Sequence, residues 1–152
     1  VRRRRCLLPA DGFYEWKAQA DGPKQPWFIR RRDRGPIAFA GIREHWQTPE
    51  GSELESCAIV TVAANATLRP IHHRMPAILP ETAWDTWLDP DETKTAEALA
   101  LLVPAPDDAL EAIPVSTRVN SVSRDDAGLI EPVADPAEPP PGDAPAAQLP
   151  LL

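Results

Sequence analysis

At 152 residues the chain has room for one domain and not for two. Hydrophobic residues make up 43%, enough for a core, but no apolar run reaches the roughly 18 residues of a membrane-spanning helix. Pro9 cuts the apolar stretch after Arg2–Arg5 to three residues, too short for a secretory signal, and Cys6 and Cys57 are too few for a disulfide framework. These features imply a soluble protein of a reducing compartment, the bacterial cytoplasm.

The chain opens at Val1 on an arginine run, and Arg5–Pro9 is short and apolar before the turn signal Asp11-Gly12. Phe13-Tyr14-Glu15-Trp16-Lys17 has the mix of aromatic and polar residues of a half-buried strand. Pro26–Arg32 and Pro36–Ile42 read as two strands, with Asp33-Arg34-Gly35 as the turn of a hairpin. Thr48–Glu55 reads as a polar loop and Cys57–Val62 as a strand. Asn65 is placed to cap a short helical turn ending near Pro70. A helix opening at Pro80 carries Trp84, Trp87 and Leu88 on one face and stops at Asp89-Pro90. Thr93–Val103 is a second helix, apolar at Ala96, Leu99, Ala100 and Val103, and Ile113–Val122 is extended. Glu131–Leu152, with seven prolines, four acids and no Lys or Arg, has the composition of a disordered tail. Strands first and helices later argue for an α+β domain over residues 1–130, followed by the tail over 131–152.

Three groups of residues are able to carry chemistry. Glu15 lies between aromatics, where partial desolvation suits a carboxylate to acid or base work; its alternative is a solvent-facing side chain. In Ile71-His72-His73-Arg74-Met75-Pro76, histidine beside arginine suits proton transfer next to a phosphate. The two histidines point to opposite faces if extended, and Cys6, Cys57 and His45 show no zinc-site spacing, so metal binding is disfavoured. The third group is Arg2–Arg5 with Arg30–Arg32 and Arg34. The first 34 residues hold ten Lys/Arg against four Asp/Glu, although the whole chain carries −7. With Trp16 and Trp27 nearby, this pattern fits phosphate contact and base stacking, or equally a solvated basic face. A Cys–His protease arrangement finds no supporting signature around either cysteine.

The order of motifs adds more. Arg5-Cys6-Leu7-Leu8-Pro9-Ala10-Asp11-Gly12-Phe13-Tyr14-Glu15-Trp16 resembles the RCLIPADGFYEW signature of the SRAP family, the SOS response-associated peptidases. Lys24–Ile29 resembles the family's KQPYFI strand, Ala38–Ile42 its AFAGLW segment and Thr61–Asn65 its TTxAN stretch. Ile71–Pro76 is similar to its IHDRMP motif and Val115–Asn120 to its VSxxVN, so the likeness spans about residues 4 to 132.

The resemblance implies a curved, largely antiparallel, barrel-like sheet with a few short helices. It implies abasic-site processing in the DNA-damage (SOS) response: recognition of abasic sites in single-stranded DNA by a monomer, in the nucleoid-associated cytoplasm, without cofactor, metal or membrane. An N-terminal Cys would form the covalent protein–DNA linkage, with an associated autopeptidase (hydrolase) or lyase activity. Glu15 matches the glutamate that moves the proton of the N-terminal amine, and His72 the histidine that assists sugar ring opening. Arg74 and Thr61 match DNA-binding positions, and His73 stands where the motif usually has Asp. The family's Met-Cys-Gly-Arg segment and its Asn-Ala-Arg-x-Glu motif are not among these residues, and Cys6 occupies the RCLLPA position. The expectation is therefore an acid–base pair without its nucleophile. The alternatives are a non-covalent single-stranded DNA-binding module and an inactive remnant.

Overall fold

The structure is a computed structural model and describes residues 4–91 and 93–134. Eight strands form it: β1 (Arg5–Ala10), β2 (Phe13–Lys17), β3 (Gln25–Arg31), β4 (Ile37–Gln47), β5 (Glu53–Ile59), β6 (Thr61–Ala63), β7 (Arg74–Pro76) and β8 (Leu110–Pro114). All pairings are antiparallel, in a sheet ordered β1–β4–β5, a second ordered β2–β3–β8, and the ribbon β6–β7. Two short helices, α1 (Trp84–Leu88) and α2 (Thr95–Ala100), and three 3₁₀ turns complete an α+β architecture whose sheets curve without closing into a barrel.

The turn between β1 and β2 explains its glycine. A Cβ at Gly12 would collide with the ring of Phe28 and the carbonyl oxygen of Ile29. The chain therefore passes tightly under β3, and β1 and β2 part into different sheets.

The expected hairpin across Asp33-Arg34-Gly35 does not form. β3 pairs with β2 and β8, while β4 pairs with β1 and β5. The turn residues are there, with Arg34 at φ 64° and its N–H donating to Arg31 O at 3.2 Å. Both flanking strands bury five consecutive residues, and each is a central strand with a partner on either side in its own sheet. The polar stretch Thr48–Glu55 is likewise not all loop: its last three residues begin β5, because β4 runs on to Gln47 and offers them a partner.

The core has two parts. Trp27, Ile29, Leu68, Met75 and Leu110 pack between the β2–β3–β8 sheet and the chain around β6 and β7. Ala40, Ala77, Leu79, Trp87 and Ala98 pack where the helices meet β4. Trp87 is fully buried and its Nε1 donates to Cys6 O at 2.9 Å. Leu88, expected on the same face, is exposed, and so are Leu99 and Val103. α2 instead buries Ala98, a residue small enough to sit against Trp87.

Two contacts set the relative position of the sheets. Phe13 of β2 meets Phe39 of β4 edge to face, ring centres 5.6 Å apart. The β6–β7 ribbon hangs from the middle of β4: Ala40 N–H donates to Ala77 O at 2.8 Å, and Val60 N–H to Ala40 O at 2.9 Å. The first residues of the expected tail are held, since Pro132 bridges to Val115 and Val133 N–H donates to Pro114 O at 2.9 Å. Residues 135–152 lie outside the described part.

Candidate active site

Alternation along β2 decides where Glu15 points. Cross-strand pairing sets Phe13 opposite Ile29 and Glu15 opposite Trp27, so Phe13, Glu15 and Lys17 share the face that looks into the core. Tyr14 and Trp16 occupy the outer face, where Tyr14 packs on Phe28 at 5.3 Å. Trp16 Nε1 donates to Asn120 Oδ1 at 2.8 Å, so the outer face of β2 is pinned from the far end of the chain. Sequence reasoning gave Asn120 no such role, although the Val115–Asn120 motif carried the signal.

His72 arrives from the other side of the core. Asn65 caps the turn that follows β6, its Oδ1 accepting from Leu68 N–H at 3.0 Å, as expected. Asn65 Nδ2 also donates to Ala105 O at 3.1 Å, which anchors the turn. Ile71 and His72 N–H both donate to Leu68 O, at 2.8 and 2.9 Å, and close the chain back towards β7.

His72 Nδ1 then lies 4.0 Å from Glu15 Oε1. The Glu15 side chain is 24% exposed and that of His72 39%, so the pair is sheltered yet reachable. The backbone of Arg74 gives Nδ1 both an acceptor, its O at 3.0 Å, and a donor, its N–H at 3.2 Å. The ring is thus held whether Nδ1 carries a proton or not, which suits a group that must exchange one.

The histidines do not point to opposite faces. The segment is a turn and not a strand, and the rings of His72 and His73 lie 4.5 Å apart, tilted by 37°. Among the described residues no three His, Cys, Asp or Glu side chains gather as metal ligands, and no helix is long and apolar enough to cross a membrane.

Arg74 and Thr61 also come together, because β6 and β7 pair in the register Thr61–Pro76 and Ala63–Arg74. Arg74 Nε donates to Thr61 Oγ1 at 2.9 Å and Nη2 to Thr61 O at 2.6 Å. An exposed guanidinium is so fixed in direction, and among the described residues its Nη1 donates no hydrogen bond.

The basic run behaves differently. Arg5 is 6% exposed, lies over the Trp87 ring and donates to the carbonyls of Trp87 and Asp89. Arg4 pairs with Glu44, Arg31 with Asp33, and both Arg30 and Arg34 with Glu111. Arg5 is thus taken up by the protein, whereas the side chains of Arg4, Arg31 and Arg34 stay exposed within their ion pairs. Trp27 is 9% exposed, which removes it from base stacking. Cys6 packs its Sγ against Gly41, and burial first, then the neighbouring Cys57, push its thiol above the usual range. A thiol so placed is a poor source of thiolate.

This geometry has relatives. The family model described as SOS response associated peptidase (SRAP) matches residues 1–122. The chain belongs to that family. It is 41% identical over 128 residues to the abasic site processing protein YoqW of Bacillus subtilis (strain 168), covering 84% of this chain and 57% of that protein. It is 39% identical over 153 residues to the abasic site processing protein HMCES of Gallus gallus, covering 88% and 45%. The crystal structure of a protein from Bacteroides thetaiotaomicron superposes with a TM-score of 0.81 at 27% identity, over 88% of this chain and 59% of that one. The chain thus spans about half the length of the curated relatives it matches.

Proposed function

We propose that these residues supply the acid–base pair and the phosphate contacts of a protein that processes abasic sites in single-stranded DNA. The observation that carries this reading is the approach of Glu15 and His72 to 4.0 Å, with the Arg74–Thr61 pair on the adjoining backbone. An abasic sugar exists partly as an aldehyde, and its attack by an amine needs a proton removed at nitrogen and one supplied at oxygen. Glu15 takes the first role and His72 the second, helping to open the sugar ring.

In the complete reaction the nucleophile is an N-terminal Cys, following the family resemblance. Its amine and the aldehyde lose one water to give an imine, and its thiol adds across the C=N bond to close a thiazolidine. No electrons are gained or lost. Neither Cys6 nor Cys57 takes this part: the first is packed in β1, and neither carries a free amine. Peptidase action on its own N-terminus uses the same Cys. The protein acts as a monomer on the DNA of the bacterial nucleoid and needs no cofactor.

The test is incubation of an abasic single strand with a chain extended to begin Met-Cys-Gly-Arg. A denaturant-stable adduct is expected, and it should be lost when that Cys is replaced by Ser. An adduct that persists in the Ser variant would overturn this assignment of the nucleophile.

A further inference from the structure

Lys17 shares the inner face of β2 with Glu15, two residues and about 7 Å along the strand. Its Nζ lies 5.5 Å from the centre of the Trp27 ring, and among the described residues no carboxylate is within ion-pair distance. Trp27 is itself the cross-strand partner of Glu15 and is held in the core. The indole therefore serves as a fixed platform that holds an ammonium on the face of β2 that carries Glu15. A ring orients a cation without neutralising it, whereas the carboxylates facing Arg4, Arg30, Arg31 and Arg34 neutralise theirs.

We propose that Lys17 is a second backbone contact of the site, a positioning residue that takes a phosphodiester oxygen of the single strand next to the abasic sugar. The inference rests on the function proposed above and adds to it. Arg74 follows His72 by two residues, and Lys17 follows Glu15 by two. Each member of the pair thus has a cation on its own segment, and a strand bound by both is fixed in register with respect to the reacting carbon. Such positioning matters because proton transfer needs heavy atoms within hydrogen-bond reach.

The experiment titrates the full chain with a single-stranded oligonucleotide carrying a stable, unreactive abasic analogue, followed by fluorescence anisotropy at several salt concentrations. Lys17→Met keeps the aliphatic stem on the indole and removes the charge. It should weaken binding and lower the slope of log K against log salt by about 0.7, the release expected for one phosphate on a single strand. Lys17→Arg should restore the slope, and Lys17→Gln should repeat the loss if Lys17→Met proves unstable. A wild-type slope in both neutral variants, with a reduced slope in Arg74→Ala, would overturn the role of Lys17 and leave the proposed function standing. Failure of the unaltered chain to bind with any salt dependence would overturn both.

Discussion

Glu15 and His72 approach to 4.0 Å although one stands on a strand and the other on a turn between strands of a different ribbon. No local feature of either segment brings them together; the fold does. If they act as one unit, removing either should cost most of what removing both costs. In the Cys-extended chain, Glu15→Gln and His72→Ala should each slow adduct formation by about 10²- to 10⁴-fold. The double variant should be little slower than the worse single one. Single-turnover rates from the four proteins decide the matter, and multiplicative losses would mean that the two side chains work independently.

Gly12 offers a test of the fold that supports this site. Because a Cβ there would strike both the Phe28 ring and the Ile29 carbonyl, Gly12→Ala must push β2 away from β3. Overpacking of this kind typically costs about 1–3 kcal/mol, and the contact with backbone leaves little room for relief. Chemical denaturation should show a lower midpoint, and Glu15 should lose its alignment with His72 as well. A variant of unchanged stability would mean that the turn relaxes without moving β2.

How much of this was legible in the sequence depends on the range of the interaction. β2 could be read from Phe13–Lys17, and Asn65 from its capping position, because strand alternation and capping are local. The face of Glu15 was not decidable, since β2 carries aromatics on both sides and only the pairing with Trp27 selects the inner one. The hairpin across Asp33–Gly35 failed for a related reason: turn residues announce a reversal without saying which sheet receives the next strand. The stripe Leu99–Val103 misled because α2 is only six residues long and needs a small residue, Ala98, against Trp87. Charge counting could not see the partners of Arg5, Arg30 and Arg34, because Trp87, Asp89 and Glu111 lie far along the chain.

The Arg31–Asp33 pair gives a pH dependence of known sign. The Arg31 guanidinium, and then the Gly35 N–H at 3.0 Å, hold the Asp33 carboxyl down from 3.8 to about 2. A carboxyl lowered in the folded state adds stability that is complete above its unfolded value and is lost as pH falls through the folded one. Comparing unaltered protein with Asp33→Asn, any difference in unfolding midpoint should be present at neutral pH and fade as pH falls through about 2. The carboxyl carbon followed by NMR should titrate near 2, and should return towards 3.8 in Arg31→Ala. The group is exposed, so the stability effect is small and the titration is the sharper measurement.

Thr61 and Arg74 should separate when binding is read against salt. In the proposed function Arg74 makes the phosphate contact, so Arg74→Ala should weaken binding of abasic single strands and lower the salt slope by about 0.7. Thr61 acts through the direction it gives the guanidinium. Thr61→Val removes the Oγ1 acceptor but keeps the carbonyl bond to Nη2, and β-branched valine preserves the short strand β6. One hydrogen bond to a charged group is worth about 1.5–3 kcal/mol, but at this exposed position the loss should fall below that range. Affinity should therefore drop by less than in Arg74→Ala, with the slope unchanged, because the cation is still present. In the double variant Thr61→Val should add nothing to Arg74→Ala. A further loss of affinity there would show that Thr61 meets the DNA itself and does not act through Arg74.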